Sequence, residues 1–350
     1  MNIIIFAGGA GTRLWPLSRR NSPKQFEILK DDKSTLQMAV DRVREFGMEN
    51  LFVSTNDEYI SLVRAQIPEL SAHHILGEPA RRDVAAAVGL SLTRLKKMGV
   101  AGAVAVLWAD HFMDHPAEFV AALKKGKELI AEDSERLVFL GEKPRFANHN
   151  LGWIKVGEKI SGQQHEFLGW KYRPELAECE KMFESGEWLW NPGYFIFDLD
   201  FVLGLYEKYQ PEMYRALNEM NGDEEKIKKM YPDLEKISFD NAILEKISSE
   251  AAVVLKVDLG WSDPGTLYAL KEALAPNPEN NFTKGKVVLD SSRDSFVYNN
   301  EEEKLVAVVG AEGMVVVNTK DALLVCPKDK VPNIKDILKK IEEEGLEKYL

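Results

Sequence analysis

"NIIIFAGGAGTRLWPLSRRNSPKQF", residues 2–26, opens the chain after Met1. The first five residues form a short apolar, β-branched run that ends at glycines, which reads as a buried strand. Gly8, Gly9 and Gly11 follow it directly. Without a Cβ, such residues let backbone N–H groups converge on an anion. Two familiar phosphate-binding patterns are not met. The P-loop needs a Lys-Ser/Thr pair, which is missing. The dinucleotide fingerprint needs a third glycine where Leu14 stands, and Pro16 argues against a helix starting at once. The glycines alone fit a tight strand-to-loop turn equally well. Arg13 and Lys24 favour a ligand, because a guanidinium and an ammonium beside backbone donors suit a polyphosphate. Up to position 30 there are five basic residues and only one acid after the glycines, Glu27.

That local excess of positive charge stands against an acidic whole. The chain has 350 residues and a formal net charge of −11. Sequence-independent binding to nucleic acid or to an anionic membrane needs a basic surface, so neither is expected. One small anionic ligand held in one place fits better. Cys179 and Cys326 are far apart and fit buried, reduced thiols of a cytoplasmic protein. The N-terminus shows no charged leader, long apolar region or cleavage site, and no apolar run is long enough to span a bilayer.

The pattern along the chain predicts two domains. Over about the first 140 residues, apolar runs such as "LFVST" (51–55) and "AVAVLW" (103–108) alternate with helical periodicities. Ser34 and Gln37 form a capping-box pattern, Gly99 stops a helix over 85–98, and Asp114 or His115 caps one that starts at Pro116. Such alternation indicates an α/β fold with a doubly wound, mostly parallel sheet. A helix capped by Ser238 is predicted to carry Glu245. "APNPENNF" (275–282) reads as a linker. Beyond it come short strands with tight turns and one amphipathic helix, a small β-rich module with a closing helix. A domain of residues 1–275 and a module of 283–350 are therefore expected. The module should pack against the first domain, and the apolar stripe of its helix leaves room for a homodimer.

"GGAGTRLWPLSRRNSPKQF" resembles the N-terminal motif of the sugar-1-phosphate nucleotidyltransferases, also called NDP-sugar pyrophosphorylases. Among them it is most similar to the mannose-1-phosphate guanylyltransferases. Further similar stretches follow in order: "GEPARRD" (77–83), "ADH" (109–111), "WLWNPGYFIF" (188–197), "FDNAILEK" (239–246) and "WSDPGTLYAL" (261–270). The tail resembles the family's β-helix-like C-terminal module, so the resemblance spans essentially the whole chain. It implies a Rossmann-like nucleotidyltransferase domain and an enzyme of the GDP-mannose pathway that joins GTP to a sugar 1-phosphate, most closely mannose 1-phosphate.

The resemblance also implies roles. Asp110 and Asp263 each end an apolar run, where ligands of open α/β sheets gather. A single Asp there is commonly a turn or cap residue; for this pair the resemblance implies Mg²⁺ ligation. His111 and His115 lie four apart, but a helix start at Pro116 and the lack of further ligands argue against a transition-metal site. Gly8, Gly9, Gly11, Thr12 and Arg13 are implied at the triphosphate, and Lys24 near the α-phosphate. Glu78 and Arg82 fall in the nucleobase-reading loop. Gly152, Lys171, Arg173, Asn191 and Glu245 fall at the sugar phosphate. On chemistry alone, Asn191 is as readily a turn residue before Pro192, and Glu245 a solvated helix acid.

The match departs from the family in places. Trp108 stands where the family usually has the proline of PADH. "RDVAAA" replaces RNTAPA. In "GWKYRPEL", Tyr172 and Arg173 stand where the family has the Glu and Lys of its EKP stretch. If residues 171–173 are extended, Lys171 and Arg173 share one face and Tyr172 points away. Two other readings keep part of this picture: the same chemistry on another sugar or nucleotide, and a non-catalytic nucleotide-sugar-binding regulator. The regulator could lose any of Arg13, Lys24, Asp110 and Asp263, yet all four are present.

Overall fold

Strands form where the β-branched runs predict them. The computed structural model describes every residue except 10, 31, 276 and 278, so Pro276 and Pro278 of the expected linker lie outside the described residues. In chain order the strands are β1 (Asn2–Phe6), the short β2 (Ile28–Lys30) and β3 (Lys33–Ser34), β4 (Leu51–Asn56), β5 (Ile75–Glu78), β6 (Ala103–Trp108), β7 (Leu137–Glu142), β8 (Gly152–Ser161), β9 (Gln164–Tyr172), β10 (Trp188–Asn191), β11 (Phe195–Asp198), β12 (Ala252–Val257), β13 (Phe282–Lys284), β14 (Val287–Asp290), β15 (Phe296–Asn299), β16 (Val306–Val309), β17 (Met314–Asn318) and β18 (Leu323–Pro327). They fall into two compact units. The first comprises Met1–Gly8, Ala39–Ala109 and Met113–Trp261; the second comprises Gly9–Met38, Asp110–Phe112 and Ser262–Leu350.

The first unit is built on one ten-stranded sheet, ordered β10-β8-β9-β12-β7-β11-β6-β1-β4-β5. Its β6-β1-β4-β5 half is parallel throughout, as the strand–helix alternation requires. Ile3, Ile4 and Ile5 are all fully buried, so both faces of β1 are covered. That is the reason its sequence is unbroken rather than alternating. Beyond β6, β11 runs antiparallel to both β6 and β7, β12 is parallel to β7, and β8–β9 form a long hairpin.

Helix ends follow their local signals. The helix Asp83–Lys97 is closed off by Gly99, at φ 81°. Pro116 sits in the first turn of Pro116–Glu132, and the preceding His115 side chain makes no capping bond. Ser238 caps Phe239–Ala242 as expected, but that helix is a single turn. Ile243, at φ −128°, leaves helical geometry, and Leu244–Lys246 continue as a 3₁₀ turn. Glu245 thus lies on that turn and not on the longer helix predicted.

The second unit contains the β-rich module. Strands β13, β15 and β17 stack in parallel, β14 and β16 form a second parallel ladder, and β18 closes β17 antiparallel. Equivalent residues of successive turns lie in register, as Phe282↔Phe296↔Val315 do, which gives a β-helix-like stack. Its core also takes in Leu14, Trp15, Leu17 and Leu29, which pack with Phe296, Tyr298, Val315, Val331 and Ile334. The basic segment after the glycine turn therefore shares one apolar core with the C-terminal strands. The capping box is formed as read: Ser34 N–H donates to Gln37 Oε1 at 3.0 Å, and Gln37 N–H to Ser34 Oγ at 3.1 Å.

Candidate active site

Three charged groups predicted from sequence meet within the second unit. Lys24 is 9% exposed, and its Nζ lies 2.7 Å from Asp110 Oδ2 and 3.4 Å from Asp263 Oδ1. The two acids are brought together by a short antiparallel bridge. Phe112 N–H donates to the Ser262 carbonyl at 2.9 Å, and Ser262 N–H to the Phe112 carbonyl at 3.0 Å. Burial would pull the Lys24 pKa down, but Asp110 and Asp263 outweigh it and hold the ammonium charged. Burial would likewise raise the Asp110 carboxyl, and Lys24 with His111 keeps it below its ordinary value instead. The ammonium acts here as a stand-in cation. It marks a point where two hard oxygen donors converge, and their side chains keep 30% and 33% of their surface exposed. Such a pair suits Mg²⁺, which takes one or two carboxylates and fills its remaining positions from water and phosphate. Among the described residues no group of three or more His, Cys, Asp or Glu converges on one point.

The glycine turn is fixed by side chains that the sequence reading passed over. Gln25, 2% exposed, donates to the Gly9 carbonyl at 3.0 Å, and Ser18, fully buried, donates to the Gly11 carbonyl. Gly11 is left-handed at φ 61° and caps the 3₁₀ turn Thr12–Leu14. A Cβ there would stand 2.9 Å from the Lys24 backbone nitrogen. Arg13 is exposed, and its Nη1 would be 3.1 Å from a Cβ at Gly265, so Gly265 leaves room for the guanidinium. Gly11→Ala is expected to strain the backbone by about 1–2 kcal/mol and to push on Lys24. Steady-state kinetics should give a kcat at least about tenfold lower with only a small loss of melting temperature; unchanged kinetics would refute the reading.

The remaining candidates belong to the first unit. Glu78 ends β5 and is 8% exposed; its Oε2 accepts from the Tyr231 hydroxyl at 2.6 Å. Burial pushes its pKa up to about 7, against the opposing pull of Tyr231 and Arg81. Arg82 immediately precedes the helix Asp83–Lys97, and its Nε is buried with no hydrogen-bond partner among the described residues. Arg81 donates to the Tyr59 hydroxyl at 2.6 Å.

Gly152 pairs with Asn191 of β10 on one side and Tyr172 of β9 on the other, so three of the expected sugar-site segments meet at one corner of the sheet. Asn191 Oδ1 accepts from Gly193 N–H at 2.8 Å, the turn role that its place before Pro192 allowed. Trp108 donates its indole N–H to the Gly193 carbonyl at 2.8 Å, which accounts for tryptophan at the position where proline was the family pattern. Glu245 Oε2 accepts from Asn241 Nδ2 at 3.1 Å.

The expected shared face of Lys171 and Arg173 is not formed. Strand β9 ends at Tyr172, and Arg173 is left-handed at φ 47°, so the period of two stops one residue short. The Arg173 guanidinium lies 5.1 Å from the Tyr172 ring centroid, while Lys171 is paired with Glu178. Glu142 was also missed. It is fully buried and accepts from Leu259 N–H at 2.8 Å and Trp261 N–H at 3.2 Å. No local pattern marks such a contact across more than a hundred residues.

Comparison with known proteins matches this architecture. The nucleotidyl transferase family model matches residues 2–279, and a MannoseP isomerase/GMP-like beta-helix domain model matches residues 284–341. The chain is 31% identical to a putative mannose-1-phosphate guanylyltransferase of Vibrio cholerae, over 99% of this chain and 75% of that protein. It is 31% identical to a mannose-1-phosphate guanylyltransferase of Escherichia coli K12, over 98% and 73%. A solved structure from Thermus thermophilus, described as a mannose-1-phosphate geranyltransferase, superposes with a TM-score of 0.88 at 28% identity, covering 97% of this chain and 99% of that one. Among the described residues no helix is long and apolar enough to cross a membrane.

Proposed function

The chain belongs to the nucleotidyl transferase family and is an enzyme of that class, and on this premise we propose that it joins mannose 1-phosphate to GTP, giving GDP-mannose and pyrophosphate. The observation that carries the reading is Lys24 held against Asp110 and Asp263 in the same unit as Arg13. In the reaction, an oxygen of the sugar phosphate attacks the α-phosphorus. The bond from that phosphorus to the bridging oxygen of the β-phosphate breaks, and pyrophosphate leaves with the electron pair. A phosphate monoester is mostly dianionic near neutral pH (second pKa ~6), so no side chain has to remove a proton. The obstacle is repulsion between anions, and catalysis is positioning plus charge stabilisation.

Arg13 and the N–H groups of Gly8, Gly9, Gly11 and Thr12 hold the β- and γ-phosphates. Lys24 neutralises the α-phosphate. Glu78 and Arg82 read the base. Asn191, Gly152 and Glu245 take the sugar, and Arg173 meets its phosphate; Lys171 is the weaker candidate because Glu178 already engages it. Asp110 and Asp263 would hold Mg²⁺, which supplies concentrated positive charge beside the phosphates. A pyrophosphate-release assay across four nucleoside triphosphates and several hexose 1-phosphates tests this. GTP with mannose 1-phosphate should be fastest. No release with any of these substrate pairs would instead leave a nucleotide-sugar-binding protein.

A further inference from the structure

Tyr231 had no place in the sequence reading, and its environment is unusual for a phenol. It is fully buried, and its hydroxyl donates 2.6 Å to Glu78 Oε2, a residue 153 positions away. The segment that carries the phenol is tied to β5 through one side chain. Arg94 donates to the Gly77 carbonyl at 2.7 Å through Nη1 and to Glu224 Oε1 at 2.7 Å through Nη2. One guanidinium thus joins the end of β5 to the helix Glu224–Met230, which leads directly into Tyr231. The other carboxylate oxygen of Glu78 lies beside Gly8: a Cβ there would stand 3.2 Å from Oε1. The two oxygens therefore have different duties, one tied down and one presented.

We propose that Tyr231 is a positioning residue for nucleobase selection, holding Glu78 Oε2 so that the ionised carboxylate accepts from the N1–H and 2-amino edge of guanine. This rests on the reading of Glu78 as a base contact. Guanine offers two donors on that edge, whereas adenine offers an acceptor at N1, which a carboxylate repels. Ionised, a carboxylate is an acceptor at both oxygens; protonated, one oxygen becomes a donor and the match to two donors is lost. The groups facing Glu78 are Tyr231, Arg81 after β5 and Asp57 after β4; the first two favour ionisation and the last opposes it. Removing the phenol hydroxyl moves the carboxyl further up from about 7, so that at neutral pH a larger fraction is protonated.

The test is steady-state kinetics of Tyr231→Phe and Glu78→Gln on the full chain. Tyr231→Phe should raise the KM for GTP about 3–10-fold at pH 7. The kcat and the KM for mannose 1-phosphate should stay within about twofold, and the preference for GTP over ATP should fall by the same factor as the GTP term. The defect should shrink by about pH 8.5, where the carboxylate is ionised in both proteins. A merely structural tyrosine would lower the melting temperature without this split. If Glu78→Gln raises the GTP KM and Tyr231→Phe does not, the positioning role is overturned and the base contact survives. If Glu78→Gln itself changes nothing, both are overturned. Calorimetry on the unmodified protein tests the idea without a variant: GTP affinity should rise between about pH 6 and 8, and a flat profile overturns the proposal.

Discussion

Asp110→Asn is expected to lower kcat by about 10²–10³, the scale for losing one preorganised charge-stabilising group at a phosphoryl-type centre. The substitution keeps the shape of the side chain and removes only its charge. Two losses follow from that charge. The hard-oxygen pair on Asp110 and Asp263 is reduced to one carboxylate, so a divalent ion is held less tightly. Lys24 loses its nearer counter-charge at 2.7 Å and keeps only Asp263 at 3.4 Å, while burial still pulls its pKa down. The bridge between Phe112 and Ser262, which is backbone alone, should survive, so the fold should not change. The Asp110 carboxyl sits below its ordinary value and is ionised throughout the usable pH range in the parent, and because asparagine does not ionise, the loss should not be recovered by raising the pH. Titration with Mg²⁺ should show a weaker apparent metal affinity in the variant. EDTA should abolish activity in the parent enzyme; full activity in EDTA, or a kcat within about threefold for Asp110→Asn, would sink the assignment.

What the sequence made legible was local. The capping box at Ser34 and Gln37, the stop at Gly99 and the unbroken run of β1 each follow from a few neighbouring residues, and each is formed. The convergence of Lys24, Asp110 and Asp263 came from a motif, not from periodicity. Nothing in the spacing of 24, 110 and 263 says that one ammonium touches both acids. Where periodicity alone was extended, it overran. The alternation of 171–173 assumed that β9 continues to Arg173, but the strand's last pairing is Tyr172 with Gly152, and the next residue turns left-handed. The helix through Glu245 failed similarly at Ile243, whose extended φ interrupts the ladder. The buried contacts Tyr231–Glu78 and Glu142–Trp261 were invisible because each joins distant segments through a single side chain. Such contacts carry no repeat and no composition signal.

The largest stability effect is expected away from the phosphates. Asp294→Asn should cost about 3–5 kcal/mol, the range for removing one member of a buried ion pair. Lys271 is fully buried, and its Nζ lies 2.6 Å from Asp294 Oδ1. Lys328 takes the other oxygen, Oδ2, at 2.5 Å, and the Tyr268 hydroxyl donates to Oδ1 at 2.8 Å. One carboxylate thus binds the helix Leu267–Leu274, which begins four residues after Asp263, to the turn before β15 and to the end of β18. Asparagine suits the left-handed backbone at Asp294, φ 50°, as well as aspartate does, so the substitution isolates the charge. Burial would raise the Asp294 carboxyl, but Lys271, Lys328 and Tyr268 bring it down to about 2. A carboxyl depressed in the folded state stabilises above its unfolded value, near 4, and that contribution is lost as pH falls toward 2. Urea unfolding should therefore separate parent from variant widely at pH 7 and progressively less below about pH 4. Lys271→Met should be tolerated better than Asp294→Asn, because it removes the buried ammonium together with its need for a counter-charge. A difference under about 1 kcal/mol at pH 7, or equal losses at pH 7 and pH 3, would show that this cluster is not what holds the helix to the β-rich stack.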